Sequence, residues 1–320
     1  MRIMIFATFI LTAFITEKAD AGDIYRILSS WHSETKESQP LALFQKSMIK
    51  EFPDDLLLTF EPNTVPTNRQ FHAVALGIFD LLFTQASYHS DSVPAGLLLE
   101  TFSVSPNVLR QTGFWQSLDN YYHKHGLKLL SVINTGNGYH LLLRETPKSC
   151  DLESNRISVA RPFRQFVVSM DGLPVAQTIT SRENTFKRPD IDGFLVPIKN
   201  HSTSYWSKST RFRTQSAFGS VTYLILINLD RWKDIPTNNQ EKILTIGASL
   251  ETQVYDTRKK RLGVYEADFQ KKNIVPIDFC ATDPNSLQKT FTRTILQISS
   301  IQEPGLTDKF RQLIRSISNQ

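Results

Sequence analysis

Cysteine is almost missing from this chain of 320 residues: Cys150 and Cys280 are its only two. No C-x-x-C or H-E-x-x-H occurs, and His123 and His125, two apart on a segment expected to be helical, point to different faces. A metal centre is therefore disfavoured. G-x-S-x-G is absent, and "TGNGYH" at 135–140 has two glycines of a dinucleotide motif but neither the third nor the following helix. Carboxylates and histidines occur in no recognisable catalytic spacing, so neither an enzyme nor a cofactor is expected. Long apolar runs are also lacking: even "VTYLILINLDRW" is interrupted by Asn228 and Asp230, which argues against a membrane span after the first residues. Charge of one sign is never concentrated. The balance of 36 Lys and Arg against 31 Asp and Glu gives +5, and the densest basic run, "DTRKKR" at 256–261, reads as the solvated face of a polar helix. Nucleic acid is not an expected partner.

What is present begins with "MRIMIFATFILTAFITEKADAG". An early Arg2, an apolar stretch from Ile3 to Ile15 and the small-x-small triplet Ala19, Asp20, Ala21 read as a secretory signal peptide cut after Ala21. The stretch is shorter than the roughly 20 residues of a stable membrane helix. Removing residues 1–21 takes two bases and two acids and leaves the charge at +5. Export permits a disulfide, and the spacing of Cys150 and Cys280 leaves open whether they meet.

Strands and helices then alternate. "DIYRILSS", "DLLLTFEP", "FDLLF" and "LKLLSVI" read as strands separated by amphipathic helices, and the second half repeats the theme with "RISV", "PVAQTI", "IDGFLV" and short helices in "FRQFVVSM" and "SRENTF". Such alternation implies parallel pairing, because each crossover needs a helix to return the chain. The class is α/β, and roughly 300 residues exceed one hydrophobic core, so two lobes are expected. From Thr237 to about Lys272 the rhythm gives way to one long helical pattern, interrupted by Gly247 and Gly263. About 35 residues of helix reach some 50 Å, enough to span both lobes. Thr237 and Gln240 form a T-x-x-Q capping box at its start, Pro236 stops the preceding turn, and Trp232 reads as core where the helix begins.

The order of strand, W-x-x-x-P-x-x-x-Q-x-x-I and long helix, with "GIFDLLFTQAS", "HGLKLLSV", "DLESNRISV" and "DIDGFLVP" in sequence, resembles the solute-binding proteins of tripartite ATP-independent periplasmic (TRAP) transporters. The resemblance covers nearly the whole exported chain. It implies a two-lobed clamp with a hinge, a small organic solute held between the lobes, and delivery to TRAP-type membrane transporter subunits from the periplasm by a monomer. The lobes are expected at 22–138 plus 228–267 and at 139–227 plus 268–320. An alternative keeps the fold for a periplasmic sensor or docking protein with a degenerate cleft.

The resemblance also fixes where this chain departs from the family. The family's carboxylate-binding Arg falls on Ser158, with Arg156 and Arg161 nearby as substitutes, Arg161 favoured. A second family Arg falls on Gly138, or on His140 if one gap is shifted. The acidic residue after the third strand becomes Gln85, and the Asn of "Glu-Asn-Pro" becomes Val196. Trp31, after the first strand, reads either as an aromatic wall for the solute or as core. Asp192 and Gly193 read as a turn. Without a cation at position 158, a buried carboxylate would be costly, and a neutral, smaller or more apolar solute is the expectation unless Arg161 or Arg156 substitutes.

Overall fold

The computed structural model describes residues 23–318 except 54–55, 63, 102, 177–183, 185–186 and 198–207. The segment read as a signal peptide lies outside the described residues, as does most of "SRENTF".

The first sheet has the order β2-β1-β3-β10-β4, built from β1 (Asp23–Ser29), β2 (Leu56–Pro62), β3 (Leu81–Gln85), β4 (Leu127–Asn134) and β10 (Thr222–Asn228). β1 pairs in parallel with β2 and β3, and the return helices are α1 (Gln39–Glu51) and α2 (Thr67–Ala75). β10 runs antiparallel between β3 and β4. Every residue of β4 and β10 is buried, which explains their near-continuous apolar sequence: both faces of the sheet are covered.

The second sheet has the order β11-β9-β5-β8-β6-β7. Its strands are β5 (Tyr139–Leu143), β6 (Arg156–Val159), β7 (Leu173–Ala176), β8 (Gly193–Pro197), β9 (Phe212–Thr214) and β11 (Val275–Ile277). β6 is parallel to β7 and β8, whereas β5 is antiparallel to β8 and β9. α5 (Arg164–Val168) connects β6 to β7. A disulfide joins Cys150 to Cys280, tying the β5–β6 connection to the chain beyond β11.

The remaining helices are α3 (Pro106–Gln111), α4 (Phe114–His123), α6 (Leu229–Lys233), α7 (Thr237–Asp256), α8 (Arg258–Lys271), α9 (Ser286–Gln302) and α10 (Pro304–Ser318). They correct the lobe boundaries drawn from sequence. The chain returns to the first sheet before Thr222, not at 228, because β10 belongs there throughout. The C-terminal helix leans on the first lobe: Phe310 meets Phe114 of α4 at 5.1 Å between ring centroids, and Lys309 Nζ donates to Ser117 Oγ at 2.9 Å. The C-terminal end of α8 packs Phe269, a residue already assigned to the second lobe, against His140 of the second sheet at 5.4 Å.

The long helix spans both sheets, but it is broken. At Thr257 the backbone turns to φ −85°, ψ 0°, and the hydroxyl donates back to the carbonyls of Gln253 and Val254, competing with the regular ladder. The capping box does not form. The Gln240 amide instead donates to the carbonyls of Trp232 and Ile235 at 2.9 and 3.0 Å, satisfying groups left open where α6 ends. Trp232 is buried core, as read. Gly247 has a packing reason: a Cβ there would stand 2.2 Å from the Leu130 carbonyl oxygen, so α7 lies flush on β4 only because this residue has no side chain.

Candidate functional site

Three segments pass between the two sheets: residues 135–138, residues 215–221 and the break at Thr257. The first two are bonded to each other. Thr135 N donates to Val221 O at 3.1 Å, Val221 N to Asn137 O at 2.6 Å, and Tyr139 N to Phe218 O at 2.7 Å. The Asn134 side-chain oxygen gathers the Gly136 amide and the hydroxyls of Ser103 and Ser220. The third segment is tied in by Arg261, whose Nη2 donates to Thr135 O at 2.8 Å and to Val254 O at 2.7 Å. The Val254 carbonyl is one that the helix break releases, and a cation suits that position.

Beside this junction lies a cavity of about 250 Å3. One wall is the loop and helix start after β1 (Lys36, Glu37, Pro40), another is the crossing and β10 (Thr135, Asn137, Tyr223), and the third is the broken helix (Thr257, Arg261, Tyr265). Burial raises the pKa of the Tyr223 and Tyr265 hydroxyls, with the Glu37 charge adding to it, so both stay protonated donors at neutral pH. Arg261 is half-buried, and burial presses its pKa downward.

On the other side of Tyr265 a second cavity of about 310 Å3 is lined by His140, Arg213, Gln215, Glu266 and Phe269 among others. Arg213 is buried, stacks over Phe269 at 4.9 Å and bonds both oxygens of Glu266 at 2.6 and 2.7 Å. His140 contacts Thr214 Oγ1 through Nδ1 at 2.8 Å. Its pKa falls to about 3, first through burial and then through the Arg213 charge, so the ring is neutral at pH 7.

Of the six residues singled out by sequence, only His140 lines either of these cavities. Trp31 is core, packed on Phe83, Tyr88 and Tyr223 with centroids 5.2, 5.6 and 4.9 Å away. Gln85 is buried and donates to Tyr139 Oη at 2.9 Å and to Glu100 at 3.0 Å, while the Tyr139 hydroxyl also donates to Glu100. Glu100 thus places a carboxyl group beside Gln85. Ser158 is fully buried, and its hydroxyl has no partner among the described residues. Val196 sits opposite His140 in the β5–β8 pair and packs with the Leu142 and Phe194 cluster.

Neither proposed arginine substitute reaches a cavity. Arg161 is 75% exposed and pairs with Asp91 at 2.8 Å, and Arg156 pairs with Asp190 at 3.0 Å on the surface. Asp192 accepts from the Arg156 amide at 2.7 Å, which joins the start of β8 to the start of β6 instead of closing a local turn. Gly193 serves close strand contact instead of an unusual φ: a Cβ would lie 2.8 Å from the Leu142 carbonyl oxygen.

Arg261, Tyr265, Tyr223 and Asn137 were not anticipated. For Arg261 a signal existed in the run read as a solvated face. Positions 258, 261 and 265 follow i, i+3, i+7 spacing and share one side of α8. Lys259 and Lys260 are exposed, while Arg258 and Arg261 turn inward to Tyr255 O and Val254 O.

No family model matches the sequence. Solved structures match it over almost its full length. A TRAP periplasmic solute-binding protein from Desulfovibrio salexigens with bound orotic acid aligns with a TM-score of 0.79 at 13% identity, covering 92% of this chain and 99% of the other. The fold is that of the TRAP periplasmic solute-binding proteins. An extracytoplasmic solute receptor of Bordetella pertussis binding pyroglutamic acid gives 0.75 at 11% identity, over 91% of this chain and 100% of its own. A TRAP protein from Haemophilus influenzae with bound L-gulonate gives 0.74 at 15%, over 91% and 99%. Within this TRAP-type fold, the two cavities flank the place where the lobes join.

Proposed function

We propose that this chain is an extracytoplasmic solute-binding protein, exported to the periplasm, that captures a small organic solute and delivers it to a TRAP-type membrane transporter without chemical change. One observation carries the reading: the hinge cavity takes its walls from the first sheet and from the helix that crosses to the second. A guest lodged there touches parts that separate when the lobes open, so it favours the closed arrangement by the contacts it gains only there. The closed surface is what a membrane partner recognises. The ligands of the three TRAP-fold proteins above are organic acids, which makes small carboxylates the first solutes to test.

The test is thermal unfolding of the purified protein with orotate, pyroglutamate and L-gulonate, each beside a neutral counterpart (uracil, 2-pyrrolidinone, L-gulonolactone), followed by a broad library of organic solutes. A ligand present at a hundred times its Kd stabilises the folded state by about 2.7 kcal/mol and raises Tm. If no member of the library moves Tm, the reading is overturned.

A further inference from the structure

We propose that Arg261, at the break in the long helix, is the anion-holding residue of the hinge cavity and takes the carboxylate of the solute in place of the cation missing from β6. This rests on the solute-binding reading above and assigns the subsite within it.

Arg261 is the one arginine that lines the hinge cavity, and it differs from the arginines that pair with acids. Arg213 is matched by Glu266, Arg110 by Glu251, Arg156 and Arg188 by Asp190, and Arg161 by Asp91. Arg261 instead meets two backbone carbonyls and the Thr257 hydroxyl, and no carboxylate among the described residues. Those contacts use three of the five guanidinium donors. A cation half out of water with only dipoles as partners is under-compensated, and an anion entering the cavity supplies what is missing.

The surroundings suit that guest. Arg258 stands one turn away with its guanidinium on the Tyr255 ring at 3.6 Å, and Lys36 lines the cavity. Within the lining, Lys36 and Arg261 outweigh the one acid, Glu37. The protonated Tyr223 and Tyr265 hydroxyls are donors for an oxyanion. Arg261 also grips Thr135 O on the crossing strand, so an anion bound to it is coupled directly to the hinge.

The experiment compares wild type, Arg261→Gln, Arg261→Lys and Arg161→Gln by calorimetric titration with the three acids and their neutral counterparts. A charge-assisted hydrogen-bonded contact is expected to account for about 10- to 100-fold in Kd. Wild type and Arg161→Gln should bind at least one acid and not its counterpart; Arg261→Gln should lose that factor, and Arg261→Lys, which keeps charge but not the fork, should fall between. If Arg261→Gln fails to fold, Tyr265→Phe provides the second route, since removal of a single hydroxyl donor should weaken the acid several-fold and leave any neutral ligand unchanged. Equal binding of an acid by wild type and Arg261→Gln overturns the subsite while the solute reading stands, and so does binding of neutral solutes alone. No binding anywhere in the panel or the wider library overturns both.

Discussion

The two arms of the broken helix meet their sheets in different ways. α7 is laid flat on β4: Gly247 brings backbone against backbone, and Glu251, with a side chain only 1% exposed, accepts from Val132 N at 2.7 Å, from Trp115 Nε1 at 3.2 Å and from Arg110 Nε at 3.0 Å. α8 touches the second sheet through one buried aromatic, Phe269, and through Glu266, which is 49% exposed. One arm is part of a lobe's core, and the other rests on a rim. For the solute clamp proposed above, a crossing helix fixed at one end and lightly held at the other would let the lobes turn about Thr257 while keeping their register.

The sharpest way to break this contrast is Glu251→Ala. It strands the Arg110 cation, the Trp115 N–H and the Val132 amide in a dry site, and the expected loss is about 3–5 kcal/mol, read from the midpoint of urea unfolding at constant slope. Burial raises the Glu251 pKa and the Arg110 charge counters it, so the carboxyl and its partners act as one unit. Gly247→Ala comes next. Its new methyl meets the Leu130 carbonyl, and overpacking of about 1–3 kcal/mol should exceed the gain of up to about 1 kcal/mol in helix propensity. A stabilised Gly247→Ala protein would mean that α7 does not lie flush on β4.

What the sequence disclosed and what it hid divide along the same line. Strands and return helices were legible because burial on both faces writes near-continuous apolar runs, as in β4 and β10. That uniformity also hid the lobe boundary: a strand with an apolar run such as 223–227 of β10 has no pattern saying which sheet it joins. The helix was legible from its apolar spacing, but the break was not, since Leu250, Val254, Leu262 and Phe269 keep a helical period across Thr257. The T-x-x-Q pattern misled because Gln240 had carbonyls closer at hand. At the site, Arg161 was favoured by its place at a strand end, yet its partner Asp91 comes from a distant loop, and such partners are fixed by tertiary approach alone. Arg261 was overlooked because a basic run was judged by charge and not by which face each residue takes.

The smallest expected effect tests the weaker arm. Glu266→Gln keeps the shape of the side chain and removes the charge facing Arg213, which retains the carbonyls of Thr214 and Gln215 and the face of Phe269. Removing one partner of a fully buried pair costs about 3–5 kcal/mol, but Glu266 stands half in water, where exposed pairs contribute about 0–1 kcal/mol. The expected loss is therefore about 1 kcal/mol, measured by urea unfolding, and it should shrink in high salt as exposed charges are screened. A loss equal to that of Glu251→Ala, independent of salt, would show that α8 is fixed as firmly as α7. The crossing helix would then be a strut between two immobile lobes, and a solute at Arg261 would have no hinge to act on.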